Sequence, residues 1–326
     1  MKISVIGAGA WGTALAKILC DNGHSVTLWG HDSGHIATLQ SSRRNERHLP
    51  GCDLPECLAF STDLAASARD REMLVIAVPS GAVRSITEAL GDFAGPAVSV
   101  TKGIEHATGL TMCGILQKTM PSAVPAGLSG PSLALETIRG VPTAIVAASE
   151  EESIARLVQQ TFHRPTFRVY RSTDLRGVEL GGALKNVIAI GAGVCDGLGF
   201  GDNSKAALIT RAIAEIRRLG VACGAQGETF SGLSGLGDLT VTCFSKLSRN
   251  RTFGERIGRG ENAADLLTSA GHVVEGHPTA RSAWKLAREL RVETPIIDAV
   301  HALLHEGKPL REAISDLIQR EATDEG

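Results

Sequence analysis

The chain has 326 residues, of which 43% are hydrophobic and 21% are charged. These fractions are typical of a folded protein and exclude global disorder, and the length is sufficient for one large domain or two ordinary ones. Thirty-three Lys and Arg residues stand against 35 Asp and Glu, a net charge of -2. The composition therefore gives no electrostatic reason to expect a nucleic acid or an acidic membrane as a partner.

The sequence shows none of the features of export, membrane insertion or metal binding. Its longest apolar stretch, residues 187–195, is interrupted by Gly191 and Gly193 and is shorter than the ~20 residues of a membrane span. A strand pattern begins at Lys2 without a secretory signal. The seven cysteines form no Cys-x-x-Cys pair, and no His/Cys cluster has zinc-ligand spacing. We expect a cytoplasmic protein with reduced thiols, no metal and no stable membrane insertion.

The first half of the chain alternates short apolar runs with helical patterns. The runs are β-branched, continuous and too short for helices, which is typical of parallel strands covered on both faces. They predict strands over 3–6, 26–29, 74–78, 97–100, 143–147 and 166–170, with helices over 10–22 and 150–161. This order predicts a doubly wound, Rossmann-like α/β domain with a mostly parallel sheet over residues 1–173.

The second half of the chain contains helical periodicity and no convincing strand. The pattern predicts helices over 178–194, 204–222, 248–257, 278–290 and 310–319. We therefore expect an all-helical domain over residues 174–326, with the boundary between 171 and 178. Residues 321–326 are typical of a frayed polar tail.

A Gly-x-Gly-x-x-Gly motif directly follows the first predicted strand and opens the first predicted helix. In this context Gly7 permits a tight turn, Gly9 lets backbone amides approach a pyrophosphate, and Gly12 allows close packing of helix on sheet. The helix N-terminus adds unpaired N–H groups for the anion. The motif predicts a dinucleotide site.

The end of the second predicted strand usually carries an acid that binds the ribose 2′-hydroxyl. This chain has His31 there, and Asp32 comes one position later. Because an acid repels a 2′-phosphate and a histidine tolerates it, NADP(H) should be accepted, with NAD(H) also open. His31 fits a solvated surface residue as well as a ribose contact.

Lys185 and Asn186 lie within an otherwise apolar predicted helix. A lysine there is costly unless its amine reaches a partner or a cleft. Gly181 and Gly182, one turn earlier on the same face, leave space where a ligand is expected to bind. The alternative is a lysine that extends to solvent beside a helix-packing glycine patch.

Two polar segments follow in the same half. Asp238 lies in a glycine-flanked apolar loop, where it fits either a ligand contact or a helix cap. Ser248 suits the N-cap of the helix that follows, and the amides behind it, with Arg249, form a phosphate site. A solvated basic turn is the alternative.

Two further segments follow predicted strands in the first half. Lys102 comes after strand 97–100, and residues 129–132 come after a short candidate strand and precede a helix at 133–138. Because ligands of open α/β sheets bind outside the carboxyl ends of the strands, this shared edge favours a site over plain turn chemistry.

With these motifs the sequence resembles the bacterial type of NAD(P)-dependent glycerol-3-phosphate dehydrogenase, over nearly the whole chain and in the expected order. The segments that carry the resemblance are GAGAWGTALA (7–16), NERHLPG (45–51), VTKGIE (100–105), SGPSLALE (129–136), GVELGGALKNVIAI (177–190), GDNSKAALITRAIAEI (201–216), GLSGLGDLTVTCFSKLSRNRTFG (232–254) and VVEG (273–276). In the family an Arg is common near His31 and a Tyr near His48, so this chain departs from the pattern at both places.

The resemblance implies reversible reduction of dihydroxyacetone phosphate to sn-glycerol 3-phosphate for phospholipid biosynthesis, with Lys185 as general acid/base. The substrate contacts it implies are Lys102, Gly130, Ser132, Lys185, Asn186, Asp238, Ser248, Arg249 and Asn250. The residues expected to line NADP(H) or NAD(H) are Gly7, Gly9, Ala10, Trp11, Gly12, His31, His48, Lys102, Ala134, Arg249, Val273 and Glu275. The helical half makes a homodimer the expected state.

A lysine that works as a base near neutrality needs a pKa well below its free value of about 10.4. Burial and Lys102 favour the neutral amine, and Asp238 and the substrate phosphate favour the charged one. Three rival functions are a 3-hydroxyacid dehydrogenase of the 6-phosphogluconate type, a dinucleotide sensor without catalysis and a zinc-dependent dehydrogenase. The first does not predict GLGDL followed by SRN, and Lys185 argues against the second. His163, His301 and His305 have the pattern of surface residues, not of ligands for zinc.

Overall fold

The structure, a computed structural model, describes residues 1–269 and 273–319. The predicted tail at 321–326 lies outside the described residues. The chain divides into two compact units: a sheet unit of Met1–Glu105 with Leu110–Glu179, and a helical unit of His106–Gly109 with Leu180–Gly326. The division falls within one long helix, and the domain boundary at 173/174 stays a prediction.

An eight-stranded sheet forms the centre of the sheet unit. Its strands are β1 (Lys2–Ile6), β2 (Ser25–Trp29), β3 (Ala59–Ser61), β4 (Met73–Ile76), β5 (Gly95–Ser99), β6 (Ala123–Ser129), β7 (Thr143–Ala148) and β8 (Phe167–Ser172). The spatial order is β3-β2-β1-β4-β5-β6-β7-β8, and every neighbouring pair is parallel except β6 with β7. The predicted doubly wound, mostly parallel sheet is confirmed.

The helices of the sheet unit connect these strands. They are α1 (Ala10–Asp21), α2 (Ser33–Ser42), α3 (Leu64–Ala68), α4 (Val83–Leu90), α5 (Met112–Thr119), α6 (Ala134–Ile138) and α7 (Glu152–Phe162). Along β4, Met73 and Val75 pack in one apolar core while Leu74 and Ile76 pack in another. Since alternate residues of a strand point to opposite faces, both faces of the sheet are covered, which explains the continuous apolar runs.

The helical unit contains no strand in the part of the chain that the structure describes, as predicted. Its helices are α8 (Leu175–Gly197), which starts in the sheet unit, α9 (Asp202–Ala222), α10 (Asp238–Phe244), α11 (Arg249–Gly258), α12 (Ala263–Ser269), α13 (Gly276–Glu289), α14 (Pro295–His305) and α15 (Leu310–Ile318). A π-helical turn, Leu233–Gly237, directly precedes α10.

Helix α8 differs from its sequence prediction in length. It has 23 residues, and an 18-residue segment of it has a mean hydropathy of 1.4, so by length and composition alone it is able to cross a membrane. The share of its apolar segment that is buried inside the protein is 83%. Its apolar side chains therefore pack within the protein, as in the core helix of a globular domain.

His301 is a correction to the sequence interpretation, which placed it at the surface. Its side chain is 6% exposed, and its ring stacks on Trp284 with centroids 4.4 Å apart. Burial lowers the pKa of His301. The histidine can be buried because the nonpolar faces of its ring pack on another aromatic ring.

A buried glutamate of α9 caps the first turn of α14. Glu215 is 2% exposed, and its carboxyl oxygens accept hydrogen bonds from the backbone N–H groups of Ile296 (3.0 Å) and Ile297 (2.9 Å). These N–H groups have no partner within their own helix. Burial raises the pKa of Glu215 to about 7. The two hydrogen bonds favour the ionised form and lower the pKa, but their effect is smaller than that of burial.

The raised pKa of Glu215 predicts a pH dependence of stability. The stability that this carboxyl contributes in its protonated form is complete below its ordinary pKa of 4.5 and is lost as the pH rises through about 7. The reason is that the unfolded chain releases the proton at a lower pH than the folded chain does. We expect this group to lower the free energy of unfolding by about 3 kcal/mol across that window. Glu215→Gln should remove this fall in urea titrations between about pH 5 and about pH 8. The exposed Glu289→Gln is the control, and equal pH slopes in wild type and Glu215→Gln would contradict the assignment.

Candidate active site

The Gly-x-Gly-x-x-Gly segment forms the turn between β1 and α1. Gly7 has a φ of +126°, and a Cβ on it would lie 2.6 Å from the carbonyl oxygen of Ala77. A Cβ on Gly12 would lie 1.9 Å from the carbonyl oxygen of Gly7, whereas one on Gly9 would meet nothing within 4 Å. The first and third glycines are thus required by backbone packing, and the middle one leaves the approach to the turn open.

The N-terminus of α1 lies at this open turn. Gly9 is its N-cap residue and provides no side-chain capping bond, so first-turn amides are available to an anion. Trp11 follows in the same turn, partly buried, with its ring centroid 6.4 Å from that of Phe167. The strand order reverses between β1 and β4, where ligands of doubly wound sheets bind. These features fit the pyrophosphate of a dinucleotide.

The loop after α2 is tied to the glycine-rich turn by Asn45, which the sequence interpretation quoted in a motif but gave no role. Asn45 is fully buried, and its Nδ2 donates to the carbonyl oxygen of Ala8 (3.2 Å) and to Thr13 Oγ1 (2.8 Å). His48, three residues later, is exposed. Its ring is edge-on to that of His35, with the ring centroids 5.4 Å apart. His31 is also exposed, directly after β2. No local sequence signal distinguishes Asn45, because its neighbours Arg44 and Glu46 are also polar and are exposed.

The structure brings three predicted substrate residues together at the carboxyl ends of β5 and β6. The carbonyl oxygen of Gly130 accepts hydrogen bonds from Lys102 Nζ (3.2 Å) and Ser132 Oγ (2.8 Å). Gly130 has a φ of +147°, and a Cβ there would lie 3.0 Å from the Cα of Ile145. Ala134 begins α6 a few residues later and is partly buried.

In the helical unit, Lys185 of α8 contacts two side chains of α10. Its Nζ lies 2.5 Å from Asp238 Oδ1 and 2.7 Å from Thr242 Oγ1. Lys185 is 7% exposed, Asp238 1% and Thr242 5%. The cap alternative for Asp238 is wrong, because Asp238 is the first residue of α10 and α10 has no side-chain cap. Thr242 escaped the sequence interpretation, although its spacing of four from Asp238 places both on one helix face.

The space expected above Lys185 is partly filled, which corrects the sequence interpretation. A Cβ on Gly181 would lie 2.6 Å from the carbonyl oxygen of Ser234. Gly181 therefore admits the backbone of the π-helical turn before α10, and Gly182 is buried as well. This close approach of two backbones, which only a glycine permits, allows Asp238 to reach the lysine.

The first turn of α11 is bound to α8 and α13 through Asn250. Its Nδ2 donates to Asn186 Oδ1 (2.9 Å), and its Oδ1 accepts from the backbone N–H of Gly276 (2.9 Å). Ser248 is the N-cap residue, as predicted, and its Oγ accepts from the backbone N–H of Arg251 (3.2 Å). Arg249, one residue after the cap, is exposed.

A buried ion-pair network supports the same turn. Arg251 Nη2 lies 2.5 Å from Asp196 Oδ2 of α8, and Lys205 of α9 pairs with the same carboxylate. Arg251 and Lys205 are each 7% exposed. Sequence reasoning missed this network, because Arg251 lies in a mostly polar helix and only Asp196 lies in an apolar one.

Two more of the predicted residues lie in the helical unit, and the seven cysteines are distributed over both units. Val273 is 43% exposed, and Glu275 is the N-cap residue of α13. All seven cysteines are unpaired, and burial raises the pKa of Cys243 to about 12, which keeps that thiol neutral. Among the described residues, no group of three or more His, Cys, Asp or Glu residues is arranged to hold a metal ion.

A glycine-rich turn opening onto a helix N-terminus, at the point where a parallel sheet reverses its strand order, defines the class of dinucleotide-binding α/β proteins. Two family models match this chain: NAD-dependent glycerol-3-phosphate dehydrogenase N-terminus over residues 2–155 and the corresponding C-terminus over residues 174–315.

Bacterial relatives match over 98–100% of this chain. A glycerol-3-phosphate dehydrogenase [NAD(P)+] from Syntrophotalea carbinolica is 47% identical, covering 98% of each chain. One from Geobacter sp. strain M21 is 48% identical over 100% of this chain and 99% of its own. The crystal structure of glycerol-3-phosphate dehydrogenase from Coxiella burnetii, 37% identical, covers 98% of this chain and 99% of its own with a TM-score of 0.93. The chain belongs to the NAD-dependent glycerol-3-phosphate dehydrogenase family.

Proposed function

We propose that this chain catalyses the reversible NAD(P)H-dependent reduction of dihydroxyacetone phosphate to sn-glycerol 3-phosphate, for phospholipid biosynthesis. Membership of the family supports the reaction, since relatives 47–48% identical over the full length carry that name. The observation that carries the proposal within the structure is the buried contact of Lys185 with Asp238 and Thr242. A positioned lysine is one of the side chains that act as general acid or base.

The proposed cofactor site lies in the sheet unit. The open approach at Gly9 and the uncapped N-terminus of α1 suit the pyrophosphate, and the exposed His31 and His48 lie on segments beside this turn. When bound, the dinucleotide supplies or accepts a hydride. The cofactor contacts of Ala10, Trp11, Lys102, Ala134, Arg249, Val273 and Glu275 stay predictions.

Lys185 is proposed to move the proton. In the reduction direction its ammonium group donates a proton to the carbonyl oxygen of the substrate, and in oxidation its neutral amine accepts one. Asp238 and Thr242 hold the amine in place, because Nζ is within hydrogen-bonding distance of both and all three side chains are buried. A fixed position reduces the entropy lost on reaching the reactive geometry.

The first turn of α11 is proposed to bind the substrate phosphate. The exposed Arg249 follows the N-cap residue Ser248, and Asn250 ties this turn to Asn186, which neighbours Lys185 in α8. A helix N-terminus and a guanidinium both favour a phosphate. Lys102, Gly130 and Ser132 are proposed as further substrate contacts, supported by their common hydrogen-bonded group.

Replacing Arg249 with Ala tests the phosphate assignment. We expect KM for dihydroxyacetone phosphate to rise at least about tenfold, because a charge-assisted contact with the phosphate is lost, with a smaller change in kcat. Arg256→Ala is the matched control, since Arg256 lies on the same helix but pairs with Glu261 at the surface. An unchanged KM in Arg249→Ala would show that the phosphate binds elsewhere.

The decisive experiment for the function is an absorbance assay of reduced nicotinamide with dihydroxyacetone phosphate as substrate. Oxidation of NADPH or NADH that depends on this substrate supports the proposal. Binding of the dinucleotide without oxidation would favour a sensor, and oxidation of 6-phosphogluconate by NADP⁺ would favour the related hydroxyacid dehydrogenases.

A cytoplasmic location and a homodimer belong to the same proposal. The resemblance of the whole chain to bacterial enzymes of this family supports both, and the partner it implies is a small-molecule substrate. Sedimentation equilibrium gives the oligomeric state directly, and a mass of 34.1 kDa, that of one chain, would contradict the dimer.

A further inference from the structure

Arg47 lies in a loop that belongs to the proposed dinucleotide site. Asn45, two residues earlier, is fully buried and donates to Ala8 and Thr13 at the glycine-rich turn. Gly30, directly after β2, also packs on this turn, since a Cβ there would lie 3.0 Å from the Cβ of Ala8. The loop and the end of β2 are therefore attached to the same turn.

The guanidinium of Arg47 reaches the end of β2, although the residue is remote from it in sequence. Arg47 Nη1 lies 3.4 Å from Asp32 Oδ2, and the side chains are 63% and 45% exposed. In doubly wound sheets the end of the second strand is where the adenosine ribose and its 2′ substituent are recognised. A single, long contact between exposed groups is weak, so the guanidinium is available to a stronger anion.

Asp32 has a second role that keeps its charge in place. Its Oδ1 accepts from the backbone N–H of His35 (3.0 Å) as the N-cap of α2. That N–H group, with Arg47 beside it, lowers the pKa of Asp32. A carboxylate here opposes a 2′-phosphate unless a cation compensates it, and Arg47 is the cation that contacts it.

We propose that Arg47 determines cofactor specificity by binding the ribose 2′-phosphate, so that this chain prefers NADP(H) to NAD(H). His31, exposed at the end of β2, assists as a second donor. Arg47 thereby supplies, from the loop after α2, the positive charge that the segment after β2 lacks. A guanidinium suits this task because it binds phosphate with two parallel N–H groups. The proposal rests on the dinucleotide binding proposed above.

The test compares two nucleotides that differ only in the 2′-phosphate, adenosine 2′,5′-bisphosphate and 5′-AMP, by calorimetric titration. Wild type should bind the bisphosphate more tightly than 5′-AMP. Arg47→Ala should weaken binding of the bisphosphate about tenfold and leave 5′-AMP unchanged. In turnover, KM for NADPH should rise by a similar factor while KM for NADH stays constant.

Two further variants complete the test. Arg44→Ala is the matched control, because Arg44 is an exposed arginine of the same loop that pairs with Asp53. Asp32→Asn retains a good N-cap residue and removes the opposing charge, so it should strengthen the binding of the bisphosphate.

Three results would overturn the proposal: equal affinity of wild type for both nucleotides, equal losses of both in Arg47→Ala, or no loss at all. Failure of the proposed function has a different signature. In that case wild type binds neither nucleotide, or it binds both without oxidising NADPH in the presence of dihydroxyacetone phosphate.

Discussion

Replacing Lys185 with Met should lower the turnover of dihydroxyacetone phosphate by at least about 100-fold and leave dinucleotide affinity near the wild-type value. A positioned general acid typically contributes about 10²- to 10⁴-fold, and Met keeps the length of the side chain without a proton to give. The dinucleotide contacts proposed for the sheet unit involve no part of this amine. The measurements are kcat in the NADPH absorbance assay and Kd for NADPH by calorimetry.

The Lys185 variant needs a control for stability, because it leaves Asp238 buried without its cation. Loss of one partner of a buried ion pair costs about 3–5 kcal/mol, which is enough to unfold a marginal protein. The double variant Lys185→Met with Asp238→Asn removes both charges and should recover most of the stability but none of the activity. Lys246→Met, at an exposed lysine of the same unit, should change neither. Retained turnover in a folded Lys185→Met protein would exclude Lys185 as the proton donor.

Replacing Gly193 with Ala should lower the free energy of unfolding by about 3 kcal/mol, at the upper end of the cost of overpacking. A Cβ on Gly193 would lie 1.9 Å from the carbonyl oxygen of Arg251 and 2.7 Å from the backbone nitrogen of Glu255. Both atoms belong to the backbone of α11, so no side-chain rotation relieves the overlap. Helices α8 and α11 must separate, and the network of Asp196 with Arg251 must adjust.

The same helix offers a matched control in Gly191. A Cβ there would lie 3.6 Å from Val300 Cγ2 and 3.9 Å from Leu208 Cδ2, both ordinary van der Waals contacts. Because Ala has a higher helix propensity than Gly by about 1 kcal/mol, Gly191→Ala should be neutral or stabilising. Thermal unfolding of both variants decides the matter, and equal melting temperatures would show that the α8–α11 contact tolerates a methyl group. In the Gly193→Ala protein, KM for dihydroxyacetone phosphate should rise as well, since α11 carries Arg249.

The elements that the sequence pattern predicted well are those whose periodicity is set by burial. Strands β1, β2, β4 and β5 are short β-branched runs buried on both faces, and α9 has the same C-terminal residue as its prediction. By contrast, the pattern did not predict α2, whose sequence SGHIATLQSS is mostly polar with two buried residues. Its start depends on Asp32 as the N-cap residue. The sequence interpretation considered Asp32 only for its effect on cofactor binding and so did not use this local signal.

Within the candidate site, the sequence by itself determined the residue types and their order along the chain. The glycine-rich turn, the N-cap at Ser248 and a lysine in an apolar helix follow from steric and burial rules that act over a few residues. The identity of the family followed from the same motifs, because they extend over nearly the whole chain.

Only the tertiary structure decided which side chains meet. Lys185 and Asp238 are 53 positions apart, Asn186 and Asn250 are 64 apart, and Asp196 and Arg251 join helices that are separated by α9 and α10. The contact of Arg47 with Asp32 likewise needs the loop after α2 to fold back on the end of β2. Such pairings depend on the distance between packed backbones, which close contacts such as that of Gly181 with Ser234 determine. The local periodicity of the sequence does not contain that distance.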